Sequence, residues 1–189
     1  ILKTLGIVSF FYTVPYNDDQ ILQRINEVFE VSKFDFIQAI DELEKLELVQ
    51  VRFEHAKIGE QNVSTFFFYK VFIKDKILPF RALLTHYFFS MPERFRDTII
   101  PANNTFGHER VMDKIRDDLK SYWRFIQEQL PEKAFEFLTH FWFYLQEETL
   151  IYLYNKIQSL PAIEPQEYVT KYGNNDFGHS QNEYIELFG

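Results

Sequence analysis

Residues 17–58, NDDQILQRINEVFEVSKFDFIQAIDELEKLELVQVRFEHAKI, decide the fold of this chain. Ile21, Leu22, Ile25, Val28 and Phe29 recur at three- and four-residue spacing. Phe36, Ile37, Ile40, Leu43 and Leu46 repeat that spacing after the break at Val31-Ser32. Apolar residues at this period form one stripe of an amphipathic helix, so two short helices meet across a turn. Leu48-Val49-Gln50-Val51-Arg52-Phe53 then changes to strand chemistry, Glu54-His55 supplies a polar turn, and Ala56-Lys57-Ile58 pairs back. Helix, turn, helix and tight β-hairpin in this order predict a winged helix.

The local signals around these helices agree with that reading. Asn17 or Asp18 can cap the first of them, and the aspartates in its first turn favour the helix dipole. Ser32 can cap the second, with Asp35 where the acid of a capping box sits. Upstream, Leu2 to Val14 is apolar with little relief, as a buried first helix would be, and Pro15 ends it. The chain starts at Ile1, inside this apolar segment and without an initiator methionine. That start predicts a piece cut from a longer polypeptide.

Winged helices serve both DNA reading and protein regulation, so the fold alone does not assign the function. Charge separates the two. From Lys33 to Glu47 the second helix of the pair carries Lys33 and Lys45 against Asp35, Asp41, Glu42, Glu44 and Glu47, a net of −3. A helix that reads DNA must neutralise phosphates, and this face would be repelled by them. The whole chain carries −8, and residues 161–189 contribute −4 of it, with Lys171 alone against five acids. Nucleic acid and anionic membranes are therefore disfavoured as partners.

Downstream of the hairpin the chain turns aromatic. Gly59 precedes Glu60-Gln61, which opens a helix through Val63, Phe66, Phe67, Phe68, Tyr69, Val71, Phe72 and Ile73. Phe, Val and Thr also suit a strand, but the run exceeds strand length without a turn residue, and helix is favoured. Pro79 starts the next helix, through Leu83, Leu84, Tyr87 and Phe88, and Pro92 starts another that ends at Ile100, leaving Pro101 to Thr105 as a loop or frayed end. Val111, Ile115, Leu119, Tyr122, Ile126 and Leu130 then predict one long helix over 107–130. Pro131 restarts a helix with Phe135, Leu138, Trp142 and Leu145 on one side and Phe137, Phe141 and Tyr144 on another. A last helix after Glu147-Glu148 holds Leu150, Ile151, Leu153, Tyr154 and Ile157. This antiparallel pair resembles one unit of an α-solenoid.

The expected fold is mainly α. A winged-helix domain with a small β-hairpin and its connecting aromatic helix spans 1–76, and a helical bundle or solenoid-like domain spans 77–160. An extended, acidic, aromatic tail spans 161–189, packed on its own domain or docked on a neighbouring chain to form a homo-oligomer. The 22 Phe, 11 Tyr and 2 Trp against 6 Gly predict thick aromatic packing between helices. The length allows about 70% of the unfolded surface to be buried.

No catalytic constellation is legible. His55, His86, His108, His140 and His179 are scattered, without an HExxH pair. Asp18-Asp19, Asp117-Asp118 and Glu147-Glu148 are adjacent, which points their side chains about 100° apart on a helix rather than at one target. Phosphate loops, dinucleotide glycines and nucleophile elbows are missing. The absence of cysteine removes thiolate chemistry. No apolar run reaches the roughly 18 residues of a membrane span, and the first residues lack a basic n-region followed by a cleavage site. The expectation is a cytoplasmic protein, not an enzyme in this piece, with no cofactor and no metal.

Four stretches carry a family resemblance: Ala56-Lys57-Ile58-Gly59-Glu60-Gln61, Phe68 to Ile73, Leu78 to Phe88, and Arg94 to Gly107 (RFRDTIIPANNTFG). Residues 2 to about 160 resemble the region after the nucleotide-binding core in bacterial STAND-type NTPases, the NACHT and NB-ARC-like signal-transducing ATPases that include antiviral sensors. Where such proteins commonly run from the wing into a Ser-Asp-Gln-like helix start, this chain has Gly59-Glu60-Gln61. The resemblance implies that the winged helix packs on an ATPase core, holding it shut or reporting its nucleotide state, while the following helices lead to a sensor array. Lys57, Glu60 and Gln61 are the interdomain contact residues it suggests. The alternative is a transcription regulator with a helical ligand or dimerisation domain, whose DNA footprint would be Lys33, Arg52 and Lys57.

Overall fold

A computed structural model of the chain describes residues 1–160, so the expected acidic tail lies outside the described residues. The described chain is mainly helical with one small antiparallel sheet. By packing it divides into two units, Ile1–Pro131 and a second that begins at Glu132.

The first unit is built on α1 (Leu2–Phe11), which is buried almost all round, Leu5, Ile7, Val8 and Phe10 together with Thr4, Gly6 and Ser9. Such a helix has no solvent face and must be wrapped by others. Phe10 is the hub, with the rings of Phe11, Phe68, Phe72, Tyr87 and Phe95 at 5.2–6.4 Å between centroids. Gly6 sets how closely the wrapping helices approach: a Cβ there would lie 2.4 Å from Val71 Cγ1.

α1 stops earlier than its apolar run. Tyr12 takes a left-handed φ of +67°, and Val14–Pro15 forms a two-residue strand, β1. Pro15 therefore does not end a helix that reaches Val14. It sits on the outer edge of a sheet, where its missing N–H is harmless. α2 (Asp19–Phe29) is capped by Asp18, whose carboxylate accepts from the N–H groups of Gln20 (2.9 Å) and Ile21 (3.1 Å). α3 (Lys33–Lys45) is capped by Ser32, whose Oγ accepts from Asp35 N–H at 3.1 Å and donates to the Asp35 carboxylate at 2.6 Å. Leu22, Ile25 and Phe29 of α2 and Phe36, Ile40 and Leu43 of α3 are buried, as their spacing predicts, and Ala39 is buried with them, whereas Ile21 and Leu46 of the same stripes are exposed.

β2 (Gln50–Arg52) and β3 (His55–Lys57) follow, and the sheet order is β1-β3-β2 with Val14 and Val51 both opposite Ala56. The hairpin turn lies at Phe53-Glu54, not at Glu54-His55. Both central residues have positive φ, +48° and +63°, the sign that a two-residue primed turn demands because it matches the strand twist. His55 joins β3 opposite Arg52.

The aromatic run after the hairpin is helical. α4 (Gln61–Phe68) continues into a π-helical stretch, Tyr69–Lys74, in which Asp75 N–H bonds Lys70 O five residues back. α5 (Phe80–Tyr87) starts after Pro79. α6 (Pro92–Phe106) runs through Pro101, so the loop or frayed end expected at 101–105 is regular helix. An internal proline costs about 3 kcal/mol. Against it stand the buried stripe Phe95, Thr98, Ile99 and Ala102 and the stack of Phe106 on Tyr69 at 4.0 Å, 11° from parallel. Gly107, at φ +94°, breaks the path before α7 (His108–Gln129). Val111, Ile115, Leu119, Tyr122 and Ile126 are buried along α7, and Arg81 of α5 lies 4.8 Å over the Tyr122 ring.

The second unit holds α8 (Ala134–Phe141) and α9 (Gln146–Ser159), with a 3₁₀ turn, Pro131–Lys133, at the division. Phe137, Leu138, Phe141 and Leu145 are buried, whereas Trp142 falls past the end of α8 and is exposed. α9 starts one residue before Glu147-Glu148, which occupy its first turn. Thr149 and Leu153 are its buried residues, while Leu150, Ile151, Tyr154 and Ile157 remain exposed. No described helix is long and apolar enough to cross a membrane.

Candidate docking groove

A groove of about 780 Å³ opens in the first unit. Four elements wall it. The end of α1 contributes Ser9 and Tyr12, the exit of the hairpin Ile58 and Gly59, the start of α4 Gln61, Ser64 and Thr65, and α6 Arg94, Asp97 and Pro101. Two stretches far apart in sequence, Ile58, Gly59 and Gln61 in one and Arg94 to Pro101 in the other, thus face one cavity because α4 and α6 both pack against α1.

Arg94 is the best-fixed polar side chain of the groove. Its Nε donates to the Phe10 carbonyl at 2.8 Å, one of the last four carbonyls of α1, which a helix cannot satisfy internally. Its Nη1 donates to the Asp97 carboxylate at 2.9 Å, and its guanidinium lies 5.6 Å from the centre of the Tyr12 ring. Only 19% of the side chain is exposed. Arg96, one residue pair away, is far more open and pairs with Glu93 at 3.0 Å.

Three hydroxyls of the wall are committed as donors to the backbone. Ser9 Oγ bonds Leu5 O at 2.7 Å, Ser64 Oγ reaches Ser9 O at 3.5 Å, and Thr98 Oγ1 bonds Arg94 O at 2.7 Å. No histidine lines the groove beside them. The groove offers a mixed polar and apolar surface with fixed donors. Among the described residues no group of three His, Asp or Glu is placed to hold a metal ion.

Of the proposed contact residues, Gln61 lines the groove as the first residue of α4. Glu60 is exposed at the N-cap position of α4 and makes no side-chain capping bond. Lys57 is half-buried at the end of β3, opposite Gln50. The proposed DNA contacts divide. Arg52 and Lys57 pair with His55 and Gln50, so all four lie on one hairpin face, away from the face of Val51 and Ala56. Lys33 opens α3 and is ion-paired to Asp19 across the α2–α3 turn. Sequence reading by residue type missed Arg94, Tyr12 and Asp97. The bond from Arg94 to Phe10 spans 84 residues and has no local signature.

A second titratable cluster joins α2 to α5. Arg24 Nη2 approaches His86 Nδ1 at 3.2 Å, and Arg24 Nη1 pairs with Glu27 at 3.6 Å. Burial, and then the Arg24 charge, lowers the His86 pKa below its ordinary value, while burial raises that of the neighbouring Tyr87 phenol. No protein-family model, curated protein or solved structure matches this chain.

Proposed function

We propose that this chain is a non-catalytic regulatory arm of a larger STAND-like, signal-transducing NTPase. In this reading the segment from α1 to β3 is a winged helix that packs on the nucleotide-binding core, and the later helices link that core to a sensor region. The observation that carries it is the groove, whose lining draws on two of the stretches on which the family resemblance rests, with Ile58, Gly59 and Gln61 from one and Arg94 to Pro101 from the other. The element order from α1 to β3 supports the winged helix. The acidic α3, whose first lysine is already neutralised by Asp19, supports a protein rather than a phosphate backbone as its counterpart.

The isolated chain is expected neither to hydrolyse ATP nor to bind duplex DNA at low salt, and to bind a separately expressed upstream nucleotide-binding segment of the same polypeptide. Tight, salt-sensitive duplex binding would overturn the reading in favour of a DNA-binding transcription regulator. One observation favours that alternative: Arg52, His55 and Lys57 share a face of the hairpin.

A further inference from the structure

The helix α9 is turned so that its most apolar side faces outward. At about 100° per residue, Leu150, Tyr154 and Ile157 fall within roughly 60° of one another, with Ile151 at the margin of that stripe. A helix of a folded unit ordinarily buries such a stripe. Here the buried residues are Thr149 and Leu153, while Leu150, Ile151, Tyr154 and Ile157 are 54–64% exposed. The Thr149 hydroxyl is buried without a hydrogen-bond partner among the described residues, an unfavourable state for a polar group. A turn of α9 by about 100° around its axis would put Leu150 in its place. The stripe therefore stays outside against the packing preference of its own unit. Its open area, on the order of 400 Å², matches the largest patch of a typical monomer, a feature that is often functional.

The pattern of the stripe specifies what fits it. Its apolar positions are symmetric about the point between Leu153 and Tyr154, with Leu150 three residues before the one and Ile157 three residues after the other. A second α9, antiparallel across a two-fold axis at that point, sets Leu150 against Ile157 and Ile157 against Leu150, as an isologous interface requires. Charge selects the same orientation. Glu147 and Glu148 stand in the first turn of α9 and Lys156 in its last, so a parallel pair would bring the acids of both copies together. The antiparallel pair keeps them about 20 Å apart and opposes the two helix dipoles. Between Leu150 and Ile157 the stripe itself is uncharged, so it does not repel a copy of a chain whose net charge is −8. With its polar margins, a pair of 14-residue helices buries on the order of 1,000 Å², the lower limit of a specific interface.

We propose that the face of α9 formed by Leu150, Tyr154 and Ile157 docks on the same face of a second copy of this chain, antiparallel about a two-fold axis. This dimer does not depend on the regulatory-arm reading of the first unit.

Sedimentation velocity of the 189-residue chain is expected to show a reversible dimer with a dissociation constant of roughly tens of micromolar, as suits so small an interface. Leu150→Glu and Ile157→Lys each enter the interface twice and are each expected to weaken the dimer at least about 100-fold. An equimolar mixture of the two variants is expected to recover it to within about tenfold of wild type. The introduced acid then meets the introduced amine across the axis, while the second contact, Ile157 with Leu150, is intact. Asn155→Glu, about 140° round the helix from Leu150, should leave the dimer unchanged. A dimer that survives either charged substitution at the stripe, one that Asn155→Glu abolishes, or a mixture that stays monomeric overturns the proposal. A wild type that is monomeric throughout overturns it as well. A lower melting temperature of Leu150→Glu would then assign the face to another part of the same chain, and an unchanged one to a different protein.

Discussion

Replacing Arg94 by alanine removes three interactions from one point where α6 meets the end of α1. The bond from its charged Nε to the Phe10 carbonyl, at 2.8 Å, falls in the class that contributes about 1.5–3 kcal/mol. The guanidinium over the Tyr12 ring adds about 0.5 kcal/mol at this half-open site. The pair with Asp97, itself half exposed, adds no more than a few tenths. Water can enter the groove and recover part of the Phe10 carbonyl, so the expected loss is about 2–3 kcal/mol. For a unit of 131 residues that corresponds to a melting temperature lower by roughly 6–10 °C. Arg94→Lys keeps the charge but lacks the planar fork that serves Phe10 and Asp97 together, and it is expected to recover less than half of the loss. Arg96→Ala is the control, because its exposed pair with Glu93 belongs to the class worth a few tenths of a kcal/mol. Thermal melts followed by circular dichroism, repeated in 0.5 M salt, measure all three. The bond to a carbonyl is screened little, so salt should leave most of the Arg94→Ala loss in place. A loss below about 0.5 kcal/mol, or full recovery by lysine, would refute the reasoning that the guanidinium fork closes α1.

Gly6→Ala drives a methyl group into Val71 and is expected to cost about 1–3 kcal/mol in urea unfolding, while adding Val71→Ala to the same chain recovers part of it. Two independent losses that simply add would count against a direct contact. His86 has a folded pKa below its ordinary 6.5, so the unfolded chain takes up its proton first. Its contribution to stability is therefore complete above pH 6.5 and falls as pH drops through the folded value. Urea midpoints between pH 7 and pH 5 should show this decline in the wild type and a shallower one in His86→Gln; parallel curves would exclude His86 as the source.

The elements that were legible in the sequence are those whose cause is local. α2, α3 and α7 announce themselves because a stripe at helical period has to be buried on one side, and Asp18 and Ser32 cap helices through bonds two or three residues away. The aromatic run after Gly59 was harder, since Phe and Val suit strands equally well, and its length decided correctly for a helix. What the sequence did not disclose depends on partners far along the chain. Val14–Pro15 becomes a strand because Ala56 and His55 lie beside it, and nothing within ten residues says so. α6 continues through Pro101 because Tyr69 and the core of the first unit reward its last turn. The hairpin turn moved by one residue because polarity favours Glu54-His55, whereas the twist of two strands requires positive φ at whichever pair closes the register.

The groove repeats that division at the level of function. Gln61 was within reach of sequence reasoning because it belongs to a recognisable helix start. Arg94 was not, since its significance comes from a carbonyl 84 residues earlier. The two meet because α1 is buried all round, and a helix without a solvent face obliges α4 and α6 to cover it from adjoining sides. The seam between those covering helices is where the groove opens. Its position is thus a consequence of the apolar segment at the start of the chain, and Arg94, which borders it, finishes that helix through its bond to Phe10. A partner that docks there would press directly on the end of α1, the element on which the first unit is built. A ligand that competed there for Arg94 would weaken its bond to Phe10 and so loosen the end of α1.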